Sequence, residues 1–404
     1  MSAGPLAGIR VLDAGTMLAA PYGATLLGDL GADVIKVESP VGDDSRLLGP
    51  EKNGERAPFL SMNRNKRGVV LDLTKEAGRA AFAKLAATAD VLITNIREPA
   101  LSKVGLAYEQ VRQHRADVIW VGVSAFGPDG PYARRPGIDF LAQGYAGIVA
   151  QTGDPGSAPI RVTVPVVDVM TSLLVSSGVL AALHSRTRTG EGQRLEISLL
   201  DAAVHCQASF LGSYFLAGEV VPRTGNRSQY FAPSGIFATA DDQRICLTCP
   251  ADKFFRNLCK ALDVSWHQDP RFVSNDARLA NQDVLESLIA ERCRAFTRQQ
   301  LVERLIGADV LVAPVQTLPE VASDPQVRHN QMVATVDHAA VGPLEVTGVP
   351  IHLHGTPGSV RLAPPVLGQH THEVLAELGY SAAEIAELEG QGAVRGARAA
   401  ARAA

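Results

Sequence analysis

Strand and helix signals alternate along the first half of the chain, and no other feature of the sequence constrains the fold as strongly. Short β-rich runs occur at residues 9–13, 33–38, 69–73, 90–94 and 117–123, and helix-like stretches at residues 21–30 and 75–88. Strands that alternate with helices usually form parallel βαβ units, whose ligands bind beyond the carboxyl ends of the strands. We therefore predict an α/β fold with an open, Rossmann-like parallel sheet.

The remaining sequence predicts a division into domains. We assign residues 1–204 to a large α/β domain, completed by residues 330–404 at the C-terminus. Residues 205–235 are predicted to form a linker and active-site loop, because the run from Arg223 to Pro233 is rich in turn-forming residues. Residues 236–329 carry a hairpin signal followed by helical stretches, which predicts a smaller α+β domain.

Composition and charge favour a soluble globular protein without nucleic-acid or membrane partners. Hydrophobic residues make up 46% of the chain, and 38 basic against 42 acidic residues give a net charge of −4. The longest uncharged apolar stretch, residues 169–183, is shorter than the roughly 20 residues that cross a bilayer. The N-terminus lacks the features of a signal peptide, and the five cysteines are scattered. We expect a cytoplasmic location.

No motif predicts a metal site or a tightly bound cofactor. His352 with His354, and His370 with His372, have a spacing that suits metal binding but lack a third ligand. The sequence contains no P-loop, dinucleotide fingerprint or nucleophile elbow. We expect neither a metal nor a resident cofactor.

Asp168 is the only charged residue between positions 162 and 183. An isolated carboxylate among apolar residues is costly to bury unless it is hydrogen-bonded, and sites that tolerate one often use it. Asp168 precedes a helix-like stretch that ends around His184, so it is also a candidate N-cap. The two roles are compatible, because the start of a helix supplies N–H donors to an oxyanion.

Runs spread over nearly the whole chain resemble the family III CoA transferases, which include formyl-CoA, carnitine and succinyl-CoA:glutarate transferases and the α-methylacyl-CoA racemases. The runs are residues 5–13, 30–40, 63–73, 125–132, 178–183, 189–193, 198–203, 269–272, 324–326 and 367–371. The resemblance implies that the large domain binds CoA and that the protein is an interlocked homodimer. It also implies that Asp168 is the nucleophile, forming an aspartyl anhydride and then an aspartyl-CoA thioester as CoA passes from an acyl-CoA to a free carboxylic acid.

The resemblance further implies which residues contact CoA, a substrate here rather than a cofactor. These are Met17, Leu18, Leu71, Asn95, Ala100, Lys103 and Val104. Lys103 is expected near the nucleotide phosphates. Ser39 stands where the family carries a cation, so we expect compensating charge from one of the neighbouring basic residues Lys36, Arg46, Arg64, Lys66 and Arg67.

The acyl pocket is expected to involve Ile138, Tyr145, Arg223, Arg227 and Tyr230. Either arginine would suit the second carboxylate of a short-chain dicarboxylate such as succinate. The racemases carry a histidine where this chain has Ile138, and isoleucine cannot exchange a proton, so a transferase is favoured over a racemase. A thioesterase and a non-catalytic acyl-CoA-binding protein remain open alternatives.

Overall fold

A computed structural model of the chain describes residues 4–397. The strands are β1 (Arg10–Asp13), β2 (Asp33–Glu38), β3 (Glu51–Lys52), β4 (Glu55–Arg56), β5 (Lys66–Leu71), β6 (Val91–Thr94), β7 (Ile119–Ser124), β8 (Arg194–Ser198), β9 (Ser234–Ala238), β10 (Arg244–Thr248), β11 (Leu311–Pro314), β12 (Val333–His338), β13 (Gly342–Thr347) and β14 (Val394–Arg395).

The helices occupy much of the chain between the strands. They are α1 (Ala19–Asp29), α2 (Ala57–Met62), α3 (Glu76–Ala86), α4 (Ala100–Lys103), α5 (Tyr108–Arg112), α6 (Asp139–Tyr145), α7 (Ile148–Gln151), α8 (Val166–Thr189), α9 (Leu199–His205), α10 (Ala208–Ala217), α11 (Asp252–Ala261), α12 (Asn275–Ala280), α13 (Gln282–Cys293), α14 (Arg298–Gly307), α15 (Leu318–Ser323), α16 (Pro325–His329), α17 (Thr371–Glu377) and α18 (Ala382–Gly390).

The chain divides into two compact units. The first contains the described residues of Met1–Ile148, Val162–Gly212 and Pro325–Ala404, and the second contains Val149–Arg161 and Ser213–Asp324. The divisions near these regions fall at 212/213, within α10, and at 324/325, whereas the sequence prediction placed boundaries at residues 205, 236 and 330. The assignment of Val149–Arg161 to the second unit has no counterpart in the prediction.

The first unit is built on a seven-stranded sheet with the order β14-β5-β2-β1-β6-β7-β8. Every neighbouring pair is parallel except β14 with β5. Apart from β14, the order is that of a Rossmann sheet, which confirms the predicted parallel α/β fold. Successive strand residues point to opposite faces, so Val11 packs in one core with α1 and α8 while Leu12 packs in the other with α3 and α17.

The helix α8 starts two residues before Asp168 and ends at Thr189, beyond the predicted end near His184. Gly190 ends the helix in a left-handed conformation (φ +74°) that glycine adopts without strain. Within residues 4–397, α8 is the helix whose length and composition match a membrane span. However, its buried residues recur at helical spacing and pack against α1 and the sheet, as in the core helix of a globular protein.

The second unit contains an antiparallel sheet of order β11-β10-β9 with helices packed against it. β9 and β10 form the predicted hairpin. Cys246 in β10 is exposed and Cys249 just beyond it is buried, and both are free thiols. Near the other end of the chain, Val333–His338 and Gly342–Thr347 pair as an antiparallel two-stranded sheet, whereas residues 351–354 form no strand.

Candidate active site

The loop between β1 and α1 lies where the strand order of the large sheet reverses. β1 pairs with β2 on one side and β6 on the other, so the loops after β1 and β6 diverge and leave a crevice. Such a crevice is the usual ligand site of an open parallel sheet. Asn95, just after β6, joins the two loops. Its Oδ1 accepts the Thr16 N–H at 2.9 Å, and its Nδ2 donates to the Thr16 carbonyl at 2.8 Å.

A cavity of about 180 Å³ opens beside these loops. Two of the predicted CoA contacts, Leu71 and Val104, line it together with Gly15 and Thr16. The remaining predicted contacts lie in adjacent segments without lining the cavity: Met17 and Leu18 between β1 and α1, Asn95 after β6, and Ala100 and Lys103 in α4. The seven residues thus follow the carboxyl ends of β1, β5 and β6, at one edge of the sheet.

The cations expected to compensate for Ser39 are all paired with carboxylates, so none of them stands free for a phosphate, and the expectation stays a prediction. Three of them, Lys36, Arg64 and Lys66, are 0% exposed. The pairs are Lys36–Asp43 at 2.8 Å, Lys66–Asp13 at 2.7 Å, Arg46–Glu38 at 2.8 Å, Arg64–Asp29 at 2.6 Å and Arg67–Asp33 at 2.8 Å. Drawing such a cation toward a phosphate would leave a buried carboxylate without a partner.

Asp168 lies in the first turn of α8 but does not cap the helix. The backbone N–H groups of Val167 and Asp168 donate to Oδ2 of Asp139, at 2.8 and 3.1 Å. Asp139 is the first residue of α6, and Gln143 Nε2 donates to its other oxygen at 2.6 Å. In the described chain, no group donates a hydrogen bond to the Asp168 carboxylate. The N-cap interpretation is therefore wrong, and both carboxylate oxygens are available to a ligand.

The surroundings of Asp168 favour its protonated form. Burial raises the pKa of the Asp168 carboxyl to about 7, and the like charge of Asp139 contributes to the rise. Because no hydrogen bond stabilises the charged form, nothing offsets these two effects. A carboxylate that titrates near neutral pH is a strong base and nucleophile once ionised, and such groups concentrate at functional sites.

The first turn of α8 has no free N–H group for an oxyanion, contrary to the expectation from sequence. The Val166 N–H donates to the Val164 carbonyl at 2.7 Å, and the Val169 N–H donates to the Pro165 carbonyl at 3.0 Å. Asp139 accepts the two N–H groups between them. All four N–H groups in the first turn of α8 therefore have acceptors.

The first turn of α1 offers the donors that α8 lacks. Within residues 4–397, the N–H groups of Leu18, Ala19 and Ala20 have no acceptor. This turn lies beside the start of α8, because the Ser172 hydroxyl is 2.9 Å from the carbonyl oxygens of both Ala19 and Asp168. The start of α1 therefore brings N–H groups without acceptors beside the start of α8.

Ile138 directly precedes α6 and Tyr145 is the last residue of this helix, and both are exposed. The Tyr145 ring packs edge-on against Phe126, with 4.9 Å between centroids, and its hydroxyl accepts a hydrogen bond from Arg135 at 2.7 Å. The Arg135 guanidinium also lies over the Tyr132 ring, 4.0 Å from its centroid. Among the described residues no carboxylate pairs with Arg135, so aromatic contacts hold a cation that has no counter-charge.

The other three predicted pocket residues, Arg223, Arg227 and Tyr230, belong to the second unit. Tyr230 is exposed, whereas both arginines have partners within their own unit. Arg223 donates to the carbonyl oxygens of Ala150 at 3.2 Å and Ser157 at 2.7 Å, and Arg227 pairs with Asp283 at 2.6 Å and Glu286 at 2.7 Å. A substrate carboxylate would have to displace these partners.

The contact of Asp139 with the start of α8 was not predicted from the sequence. Its bond to the Asp168 N–H joins residues 29 apart in sequence, so no local pattern reveals it. The sequence does offer one signal. Asp139 follows Gly137 and Ile138, and this triplet stands where the racemases are expected to carry Gly-His-Asp.

Comparison with known proteins gives a consistent result. A profile of CoA-transferase family III matches residues 6–371. The chain is 35% identical over 385 residues to the succinyl-CoA–L-malate CoA-transferase beta subunit of Chloroflexus aurantiacus, covering 93% of this chain and 94% of that protein. It is also 35% identical over 385 residues to the succinate–glutarate CoA-transferase of Agrobacterium fabrum, covering 93% and 96%.

A solved structure extends the similarity to three dimensions. A CAIB/BAIF family protein from Brucella suis superposes with a TM-score of 0.86 at 34% identity, over 94% of this chain and 100% of that one. Profile, sequence and structure all match over most of the chain, and this protein therefore belongs to CoA-transferase family III.

Proposed function

We propose that this CoA transferase moves CoA from an acyl-CoA to a short-chain dicarboxylic acid, with Asp168 as the nucleophile. The observation that carries the proposal is the Asp168 carboxylate, which accepts no hydrogen bond from the described chain and has a pKa of about 7. The relatives named above support the substrate class, because their names specify succinyl-CoA, malate and glutarate.

The proposed reaction is a series of attacks on carbonyl carbons. A carboxylate oxygen of Asp168 attacks the thioester, the C–S bond breaks, and CoA leaves as a thiolate from an aspartyl–acyl anhydride. The thiolate attacks the Asp168 carbonyl and releases the donor acid, leaving an aspartyl-CoA thioester. The acceptor carboxylate then attacks this thioester to form a second anhydride, and the thiolate attacks its acyl carbon to give the new acyl-CoA and free Asp168.

Each tetrahedral intermediate carries an oxyanion, and the start of α1 is our candidate for stabilising it. The Leu18, Ala19 and Ala20 N–H groups are without acceptors, and Ser172 links this turn to Asp168. Preorganised backbone donors of this kind stabilise developing charge without having to reorient. Water must also be excluded from the site, since an anhydride hydrolyses.

We place CoA in the crevice after β1, β5 and β6, with contacts from Met17, Leu18, Leu71, Asn95, Ala100, Lys103 and Val104. The cavity lined by Leu71 and Val104 supports this position. Lys103 is exposed and forms no ion pair with another described residue, so its ammonium is free to approach the phosphates. CoA and its thioesters are substrates in this proposal, and no resident cofactor takes part.

We propose Arg135 as the residue that binds the second carboxylate of the substrate. It lies in the same unit as Asp168, next to the expected acyl-pocket residue Tyr145, and has no acidic partner among the described residues. Arg135→Met should raise KM for succinate about 10-fold or more and leave KM for butyrate nearly unchanged. An equal rise for both acids, or a rise in KM for every acyl-CoA donor, would contradict this role.

Trapping tests the nucleophile directly. The protein is incubated with succinyl-CoA without acceptor, then treated with hydroxylamine or borohydride, and its peptides are examined by mass spectrometry. We expect modification at Asp168 in the wild type and none in Asp168→Asn. An unmodified peptide across a broad panel of acyl-CoA donors would exclude the covalent mechanism. Incorporation of deuterium at the α-carbon of a 2-methylacyl-CoA would instead indicate a racemase.

We further propose that the protein is a homodimer, interlocked as the family resemblance implies. The helix α10 is apolar but has no buried residue, and Phe215 and Leu216 are 76% and 90% exposed. An apolar helix left open in one chain needs a partner surface. The cytoplasm stays our expected location, supported by the free thiols of all cysteines.

A further inference from the structure

Four charged side chains lie together beneath the loop between β1 and α1, and none of them reaches the surface. The cluster consists of Asp13, Lys36, Asp43 and Lys66, which are 0%, 0%, 2% and 0% exposed. The two lysines and two aspartates balance in charge. Burying them is costly, and replacing such pairs with apolar residues is often neutral for stability, so a stabilising role alone explains the cluster poorly.

The cluster holds the loop backbone at Gly15 and at Met17. The Lys36 ammonium donates to the Gly15 carbonyl at 2.6 Å, and Asp13 Oδ1 accepts the Gly15 N–H at 3.0 Å. Asp43 Oδ1 accepts the Met17 N–H at 3.1 Å. Met17 has φ +68°, a left-handed conformation that a non-glycine residue adopts only when its surroundings impose it.

The same loop faces the proposed CoA crevice. Gly15 and Thr16 line the cavity, and Met17 is 41% exposed. The start of α1 is fixed separately, through Ser172 and through Gly23, whose close approach to Val175 leaves no room for a side chain. Movement of residues 15–17 would therefore change the crevice more than the position of Asp168.

We propose that Lys36 is a positioning residue for CoA: with Asp43 it holds the backbone of Gly15–Met17 in the shape that binds the acyl-CoA. This inference rests on the proposed position of CoA. Lys36, which we expected near the phosphates of CoA, is thus placed behind the loop that contacts CoA.

The test compares two buried ion pairs of the same unit. Lys36→Met removes the loop contact, whereas Arg64→Met removes an equally buried cation that pairs with Asp29 at the far end of α1. We expect Lys36→Met to raise KM for the acyl-CoA, and the dissociation constant of CoA measured by calorimetry, about 10-fold or more, with kcat within about threefold of the wild type. Arg64→Met should lower the melting temperature but leave both constants within about twofold, because it does not contact the loop.

A second variant separates positioning from stability. Lys36→Met with Asp43→Asn removes both charges, so we expect the melting temperature to recover while CoA binding stays weak, because the Gly15 carbonyl still lacks its donor. Equal effects of the Lys36 and Arg64 variants on CoA binding, or full recovery of binding in the double variant, would overturn the proposal. Calorimetry keeps the test independent of turnover, so absence of transferase activity in the wild type would count against the proposed function alone.

Discussion

Asp168 and Asp139 form an asymmetric pair of acids. Gln143 and two backbone N–H groups bond Asp139, while the described chain donates nothing to Asp168. The two acids therefore differ in role. Asp139 holds the start of α8, whereas the Asp168 carboxylate stays available for the proposed reaction. A sequence can show that Asp168 is isolated, but it cannot show which acid caps the helix, because the capping contact depends on how α6 packs against α8.

Because the proposed nucleophile must be ionised to attack, we expect kcat/KM to fall about tenfold per pH unit below the pKa of Asp168, which is about 7. Asp139→Asn removes the neighbouring negative charge but keeps an oxygen that can accept the N–H groups of α8. The acidic limb of the pH–rate profile should then shift down by about half to one pH unit, since burial still raises the pKa. An unchanged profile in a stably folded variant would show that Asp139 does not act through its charge.

Asp168 also makes stability depend on pH. Its folded pKa of about 7 lies above the ordinary value of 3.8, so the folded state binds the proton more tightly, and the free energy of unfolding falls as pH rises between these values. Asp168→Asn should therefore stabilise the protein by about 1–2 kcal/mol at pH 8 and by less at pH 4.5. Denaturant unfolding at both pH values measures the difference. A gain independent of pH would contradict this account.

At the scale of elements, the structure confirms the alternation predicted from sequence but also shows contacts that sequence does not encode locally. The strands β1, β2, β5, β6 and β7 were predictable because each contains a short β-rich run, whereas β14, with only Val394 and Arg395, was not predicted. The length of α8 was not, since the helix continues past His184 to Thr189, and Arg186 in its last turn pairs with the distant Asp90. Lysines are usually surface residues, so the burial of Lys36 and Lys66 could not be predicted either. It depends on aspartates that the fold brings beside them.

The packing of α1 on α8 makes a specific prediction at Gly23. A Cβ added there would lie 2.6 Å from Val175 Cγ1. Gly23→Ala should lower the free energy of unfolding by about 1–3 kcal/mol through overpacking. Val175→Ala creates space at the same point, so the double variant should lose less than the sum of the two single losses. Denaturant unfolding of all four proteins measures this coupling, and simple additivity would exclude the contact.

At the scale of the whole molecule, family membership and general architecture were accessible from sequence, because motifs in order along the chain specify both. The surface of one chain adds information that motifs do not provide. The exposed face of α10 and the exposed Leu173 in α8 are apolar surfaces that a single chain leaves open. We expect the interface of the proposed dimer to include these side chains.

We expect Leu216→Glu to weaken the proposed dimer, because it places a charge at an apolar position of α10 that is 90% exposed. Light scattering after size-exclusion chromatography should show a monomer or a concentration-dependent mixture. Leu318→Glu is the matched control, since Leu318 is 84% exposed in α15 and is expected to lie outside the interface. A Leu216 variant with the mass of the wild-type oligomer would place the interface elsewhere.

The contact between the two acids has one more consequence. In the free enzyme, Asp139 repels the ionised Asp168, and this repulsion contributes to the raised pKa. In the proposed anhydride and thioester Asp168 carries no charge, so the repulsion would disappear. The neighbour that disfavours the ionised carboxylate would therefore favour every proposed covalent form, and part of the driving force for acylation would already be present in the free enzyme.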